Sequence, residues 1–228
     1  MERSNLNTLL VATICLLGLY FSYKFGGASL SYYSVRNSIS EWQAEGGAED
    51  AKKFHSAFNA ASKASSGHPT HPLYQYLTGQ VIEWGVVSGH LTPDELYRAK
   101  SYYLNAAKLR PTWPVTWASL ALVKWRLNNL DDEFWVYLNK ADSYGPMQPE
   151  VHVLFSKLGL SLYNANNRMF LVIRLDTIKR LSLGLRNSSS RQEILQFINL
   201  TNSNETVCRW LKSDEEYITK NILKCSYS

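Results

Sequence analysis

Apolar positions along the chain follow two patterns. Leu6–Tyr23 is one uncharged apolar stretch of 18 residues, with Arg3 before it and Lys24 after it. About 20 such residues cross a bilayer as a helix. Downstream, apolar residues recur every three or four positions, the spacing of amphipathic helices. Leu30, Tyr33, Val35, Ile39 and Trp42 carry this spacing on from the apolar stretch until Gly46-Gly47 stops it. A helix predicted over Ala48–Ser65 puts Ala57, Ala61 and Ala64 on one face, and Leu73–Val87 carries a stripe of Tyr74, Leu77, Val81 and Trp84. Thr92-Pro93-Asp94-Glu95 predicts a helix start with a capping hydroxyl and proline in the first turn. That helix runs to Leu109, with Leu96, Ala99, Tyr103 and Ala106 facing inward.

Further helices are predicted over Val115–Leu127, from an Asp131 or Asp132 cap to Tyr144, over Pro149–Tyr163 and over Arg168–Arg186. Asn187 and Ser188–Ser190 break the pattern, and Glu193–Leu200 and Val207–Leu223 form a less regular end. No alternating strand pattern of useful length occurs, so the expected body is all-α, with about nine or ten helices.

The helices repeat. Pro111 and Pro146 each follow an alanine by five residues (Ala106, Ala141) and a tyrosine by nine (Tyr102, Tyr137). Pro111 is followed by Trp117, Leu120 and Ala121, and Pro146 at the same offsets by His152, Phe155 and Ser156. A period of about 35 residues belongs to helix-turn-helix solenoid units. Ala99, Tyr103, Ala106 and Pro111 resemble the second half of a tetratricopeptide repeat, and Trp117, Leu120 and Ala121 the first half of the next. Phe134 stands where that pattern expects alanine, and the signature fades after Pro149. The expected fold class is therefore all-α, an N-terminal membrane helix followed by a short tetratricopeptide-like helical-repeat array. Its parts are an anchor or uncleaved signal segment at 1–27, a repeat domain at 28–186 and a C-terminal helical cap at 187–228.

A narrower resemblance lies in LYQYLTGQVIEWG (73–85), RPTWPVTWASLALVKWRLNNLDDEF (110–134) and PEVH (149–152). These segments resemble the VpsP family, small proteins associated with bacterial exopolysaccharide biosynthesis. The resemblance implies a role in making or exporting a surface polysaccharide and supplies no catalytic residues.

Composition narrows the choice. The chain of 228 residues is 45% hydrophobic and 19% charged, which suits a globular body. A net charge of +5 without any long Lys or Arg run gives no surface for tracking nucleic acid. For the apolar stretch, a cleaved signal peptide with a site near Gly26-Gly27-Ala28, or a buried core helix, are the alternatives to an anchor. Flanking basic residues are nearly balanced, so they leave orientation open. Cys208 and Cys225 are either two unrelated thiols or a disulfide closing a loop of about 18 residues, worth roughly 3 kcal/mol. If they pair, the body faces an oxidising compartment. With the bacterial origin that the resemblance implies, the expected location is then the inner membrane, single-pass, with the body periplasmic.

Motifs for catalysis, phosphate binding or metal binding are missing, and no metal or other cofactor is expected. His68-x-x-His71 lacks a third ligand nearby, and Asp131-Asp132-Glu133 suits a helix N-terminus. Trp84, Trp113, Trp117, Trp125 and Trp135 either fill the core or stack on sugars. The repeats point to an adaptor that binds a protein, and the resemblance to the VpsP family implies that the partner belongs to a polysaccharide assembly or export system. Arg110, Trp113, Trp117, Lys124 and Trp125 are the expected groove residues, since the first helix of each such repeat lines the groove. A glycan-binding accessory protein, and a glycan-active enzyme, are the alternatives.

Overall fold

The computed structural model describes residues 2–211 and 215–225. Among them every regular element is helical: α1 Glu2–Glu45, α2 Ala51–Gly67, α3 Pro72–Val87, α4 Glu95–Leu109, α5 Pro114–Arg126, α6 Asp132–Tyr144, α7 Pro149–Asn164, α8 Phe170–Arg186, α9 Ser188–Leu200 and α10 Asn204–Leu211. A π-helical turn follows at Ile218–Ile222. The protein is all-α, with a long apolar N-terminal helix followed by helical repeats. It divides into two compact units, Met1–Thr112 with Val123–Asn129, and Trp113–Leu122 with Leu130–Ser228.

In the first unit, α1 runs unbroken for 44 residues. From Asn7 on, its apolar stretch is exposed, and the helix is long and apolar enough to cross a membrane. Further on, the same helix becomes amphipathic. Val35, Ile39 and Trp42 bury one stripe against Phe54, Ala57 and Ala61 of α2 and Leu77 and Val81 of α3. Ala28 packs with Ala64 and Tyr74. The alanines matter because they let the helix axes come close. Asp50 caps α2, its carboxylate accepting the N–H groups of Lys52 and Lys53 at 2.8 and 3.2 Å. The helix therefore starts three residues after the expected Ala48, which is buried instead and donates its N–H to Ser88 Oγ at 2.8 Å.

Thr92 does not cap α4. Glu95, Leu96 and Tyr97 donate to the carbonyls of Thr92, Pro93 and Asp94 at 3.0–3.1 Å, a tight turn whose backbone oxygens take the place of the expected hydroxyl. Packing of α4 on α3 needs Gly79, where a Cβ would come within 2.6 Å of the Tyr103 ring. The Tyr103 hydroxyl donates to Glu83, which also takes Arg126 Nη1 at 2.7 Å. Burial pushes the Glu83 carboxyl up while Arg126 pulls it back.

In the second unit, Asp131 caps α6 by accepting the Phe134 N–H at 3.1 Å. Trp117 lies on Tyr137, ring centroids 5.8 Å apart, with Lys140 Nζ 4.0 Å over the indole. Phe134 is fully buried where the repeat pattern has alanine. Close helix approach is instead made at Gly159, where a Cβ would meet Thr177 at 2.2 Å. The serines after Asn187 do not break the chain. Asn187 accepts the Ser189 N–H at 2.9 Å and so opens α9 as its cap. The less regular segment expected over Val207–Leu223 holds the end of α10 and the turn at Ile218–Ile222, and its positions 212–214 lie outside the described residues. Cys208 and Cys225 are joined as a disulfide, Cα atoms 5.8 Å apart, beside Val207, Leu211, Ile218 and Leu223.

Gly79→Ala is expected to push the Tyr103 ring off α3 and lower stability by about 1–3 kcal/mol, the usual cost of overpacking. The urea midpoint of the detergent-solubilised chain checks this.

Candidate functional site

The five expected groove residues fall in both units. Arg110, Lys124 and Trp125 belong to the first unit, and Trp113 and Trp117 to the second. Arg110 is exposed, and Trp113 and Trp125 are half-buried. Trp117 and Lys124 are buried, at 7% and 2% exposure, so neither lines an open groove. The cause is the sequence of α5, PVTWASLALVKWR, which is apolar on nearly every face. A helix so rich in apolar residues is largely buried, and Lys124 goes in with it while Arg126, at its end, does not.

A different surface in the second unit carries a shallow, half-open cleft. Trp135, Leu138, Asn139 and Asp142 are spaced to share one face of α6. With Phe155 of α7 and Val172, Ile173 and Asp176 of α8 they enclose a cleft of about 240 Å³. Leu138, Phe155 and Ile173 form a buried apolar floor. Trp135, Asn139, Asp142 and Asp176 supply a polar and aromatic rim. Beside the cleft, α8 turns Leu171, Val172 and Leu175 to solvent at 72%, 70% and 80% exposure. Three adjacent aliphatic side chains so exposed are unlike the scattered apolar residues of an ordinary surface.

Arg180 fixes the wall of this cleft. Its guanidinium, 1% exposed, is ion-paired with Asp142. It also donates to the carbonyls of Gly145 and Pro146 at 3.2 and 2.6 Å and meets His152 Nδ1 at 3.3 Å. Its carbon lies 5.5 Å from the Phe155 ring centroid. One side chain thus ties the end of α6 to α8 and holds Asp142 and Phe155 in place. His152 accepts from this cation, so its ring is held neutral. Burial, and then the charge of Arg180, lower its pKa to about 4.

Chemically, an apolar floor with a carboxylate rim suits aliphatic and cationic side chains of another protein. It also suits a sugar ring laid on Trp135 with hydroxyls on Asn139, Asp142 and Asp176. Among the described residues no three His, Cys, Asp or Glu side chains gather to hold a metal. His68 lies against Phe25 and His71 against Tyr74, ring centroids 4.5 and 4.0 Å apart. Sequence reasoning singled out Trp135 but missed the face of α8. The available signal was an excess of apolar residues: Phe170, Leu171, Val172, Ile173 and Leu175 are too many for one stripe.

His152 charges readily in the unfolded chain, near pH 6.5, but only near pH 4 when folded. Its contribution is therefore complete above about pH 6.5 and is lost as pH falls toward about 4. His152→Asn, which keeps an acceptor for Arg180 without a titrating ring, is expected to flatten this part of the pH dependence, measured as urea midpoints across that window. No protein-family model matches the chain, and no curated protein is significantly similar to it in sequence.

Proposed function

We propose that the chain is a membrane-anchored helical-repeat adaptor, acting through protein–protein contact in bacterial exopolysaccharide biosynthesis or export. The observation that carries this reading is the run of exposed aliphatic residues on α8 beside a cleft with an acidic rim. Repeat helices present such surfaces to partners more often than they build catalytic pockets. The polysaccharide context comes from the resemblance to the VpsP family. Anchoring is supported by the exposed apolar stretch of α1. A body on the periplasmic side of the inner membrane is supported by the Cys208–Cys225 disulfide, a bond that persists in oxidising compartments.

A second reading is favoured by the cleft itself, where Trp135, Asn139, Asp142 and Asp176 offer stacking and hydrogen bonds to a glycan. The two separate cleanly. Leu171→Asp with Leu175→Asp is expected to abolish co-purification of the membrane partner, at least tenfold if two aliphatic anchors of about 1 kcal/mol or more are lost. Unchanged co-purification sinks the adaptor reading. Binding of purified polysaccharide by the full chain, lost on Trp135→Ala, replaces it with the glycan reading.

Alkaline phosphatase fused after Ser228 is expected to be active, as it is only outside the cytoplasm. An inactive fusion of normal abundance reverses the orientation.

A further inference from the structure

The first unit separates its charges along the helix axes. After the apolar stretch, its carboxylates are Glu41, Glu45, Glu49, Asp50, Glu83, Asp94 and Glu95. They fall at the C-terminal half of α1, the N-terminus of α2, the C-terminal half of α3 and the N-terminus of α4. These positions share one end of the unit, since α1 packs with α2, α2 with α3 and α3 with α4 as successive hairpins. The ion pairs Lys53–Glu41, Arg98–Glu95 and Arg126–Glu83 are there too.

The opposite end has no carboxylate. Residues 22–40, 55–76 and 96–110 contain no Asp or Glu. They contribute Lys24 on α1, Lys63 on α2 and His68 and His71 on the α2–α3 loop. Tyr103 packs on Tyr76, so Lys108, five residues further along α4, lies toward the start of α3 at this same end.

This is the end from which the apolar stretch leaves. At 1.5 Å per residue, Leu6–Tyr23 spans about 27 Å, against a hydrocarbon layer of about 30 Å. Phe25 then stands at the edge of that layer. His68 is in ring contact with Phe25 at 4.5 Å, and His71 lies 5.3 Å from His68. A Cβ on Gly67 would come 3.3 Å from Ala28. Tyr32 and Tyr74, 5.3 Å apart, pin the start of α3 to α1 just above. The α2–α3 loop is thus held at the height of residues 25–28, where lipid headgroups lie.

We infer that this end of the unit is a bilayer-contact face, at which Lys24, Lys63, Lys108 and the α2–α3 loop bind anionic phospholipid headgroups. The inference rests on α1 being the membrane anchor. Basic residues against an anionic surface attract it, and carboxylates at the far end are kept away from it. The first unit is then set upright on the membrane rather than left swinging from it.

The test uses the full chain in nanodiscs of phosphatidylcholine alone or mixed with phosphatidylglycerol. A nitroxide is placed at Cys15, at Thr70→Cys or at Glu49→Cys, the last two in a Cys15→Ser background. Access to dissolved oxygen and to a water-soluble nickel chelate reports depth. The Cys15 label is expected in hydrocarbon, the Thr70 label at headgroup depth and the Glu49 label in water. Phosphatidylglycerol should further shield Thr70. Lys24→Gln, Lys63→Gln and Lys108→Gln should release it, by about fivefold per charge. A Cys15 label in hydrocarbon with Thr70 as wet as Glu49 in both lipids overturns the lipid contact and leaves the anchor standing. A Cys15 label in water overturns the anchor and the contact with it. Thr70 shielded only on adding an acidic polysaccharide such as alginate assigns the basic face to the polymer and overturns the lipid assignment.

Discussion

The packing of the second half of α1 against α2 and α3 is the constraint on which the first unit depends. Val35, Ile39 and Trp42 are buried at the centre of that core, while residues of the same helix from Leu9 to Phe25 are exposed. Each such buried side chain is worth about 1.5–3 kcal/mol, so the join is strong. No glycine-rich or polar linker separates the apolar stretch from the body. Gly26 and Gly27 lie inside a continuous helix, with nothing near enough to crowd a Cβ. A span leaving the core as an unbroken helix fixes the tilt of whatever it carries. The height of the α2–α3 loop follows from this join, and so does the direction in which the charged ends of the helices point.

Close approach between helices comes from two kinds of residue. Alanines of α2 and Gly79 of α3 serve the first unit, as repeat sequences lead one to expect. In the second unit, Phe134 occupies an alanine position and Gly159 and Gly184 take over the close contacts of α7 with α8 and of α8 with α9. The repeat signature fades in sequence after Pro149, but the physical device behind it persists with different residues. Helix pairing needs a small side chain facing a large one, and which partner supplies which is free.

Each unit also buries a cluster of charge among its described residues. Glu83 receives Tyr103 and Arg126, and Arg180 receives Asp142, two carbonyls and His152. A buried ion pair adds little net stability but is costly to break, so such clusters fix register more than they hold the fold together. Arg180 shows the point. It reads in sequence as one more basic residue on an apolar helix, and in the fold it sets the geometry of the cleft.

The order of helices, the apolar stretch and the acidic cap at Asp131 were legible because local spacing and end chemistry determine them. So was the pairing of Ala106 and Tyr103 with their neighbours, because a repeat carries its own contact pattern. Two local readings went astray for a single reason. Thr92 and the serines after Asn187 have the composition of a cap and a break, but backbone carbonyls and the Asn187 side chain did that work. The exposure of the expected groove residues that lie on α5 was not decided by spacing at all. Whether Trp117 and Lys124 face solvent depends on what covers them, as does the exposure of Leu171, Val172 and Leu175. Burial is set by neighbours distant in sequence. The sequence by itself determined which segments are helices and which face of each is apolar. Only the tertiary structure decided which apolar faces stay uncovered, because that depends on how many helices come together at each place.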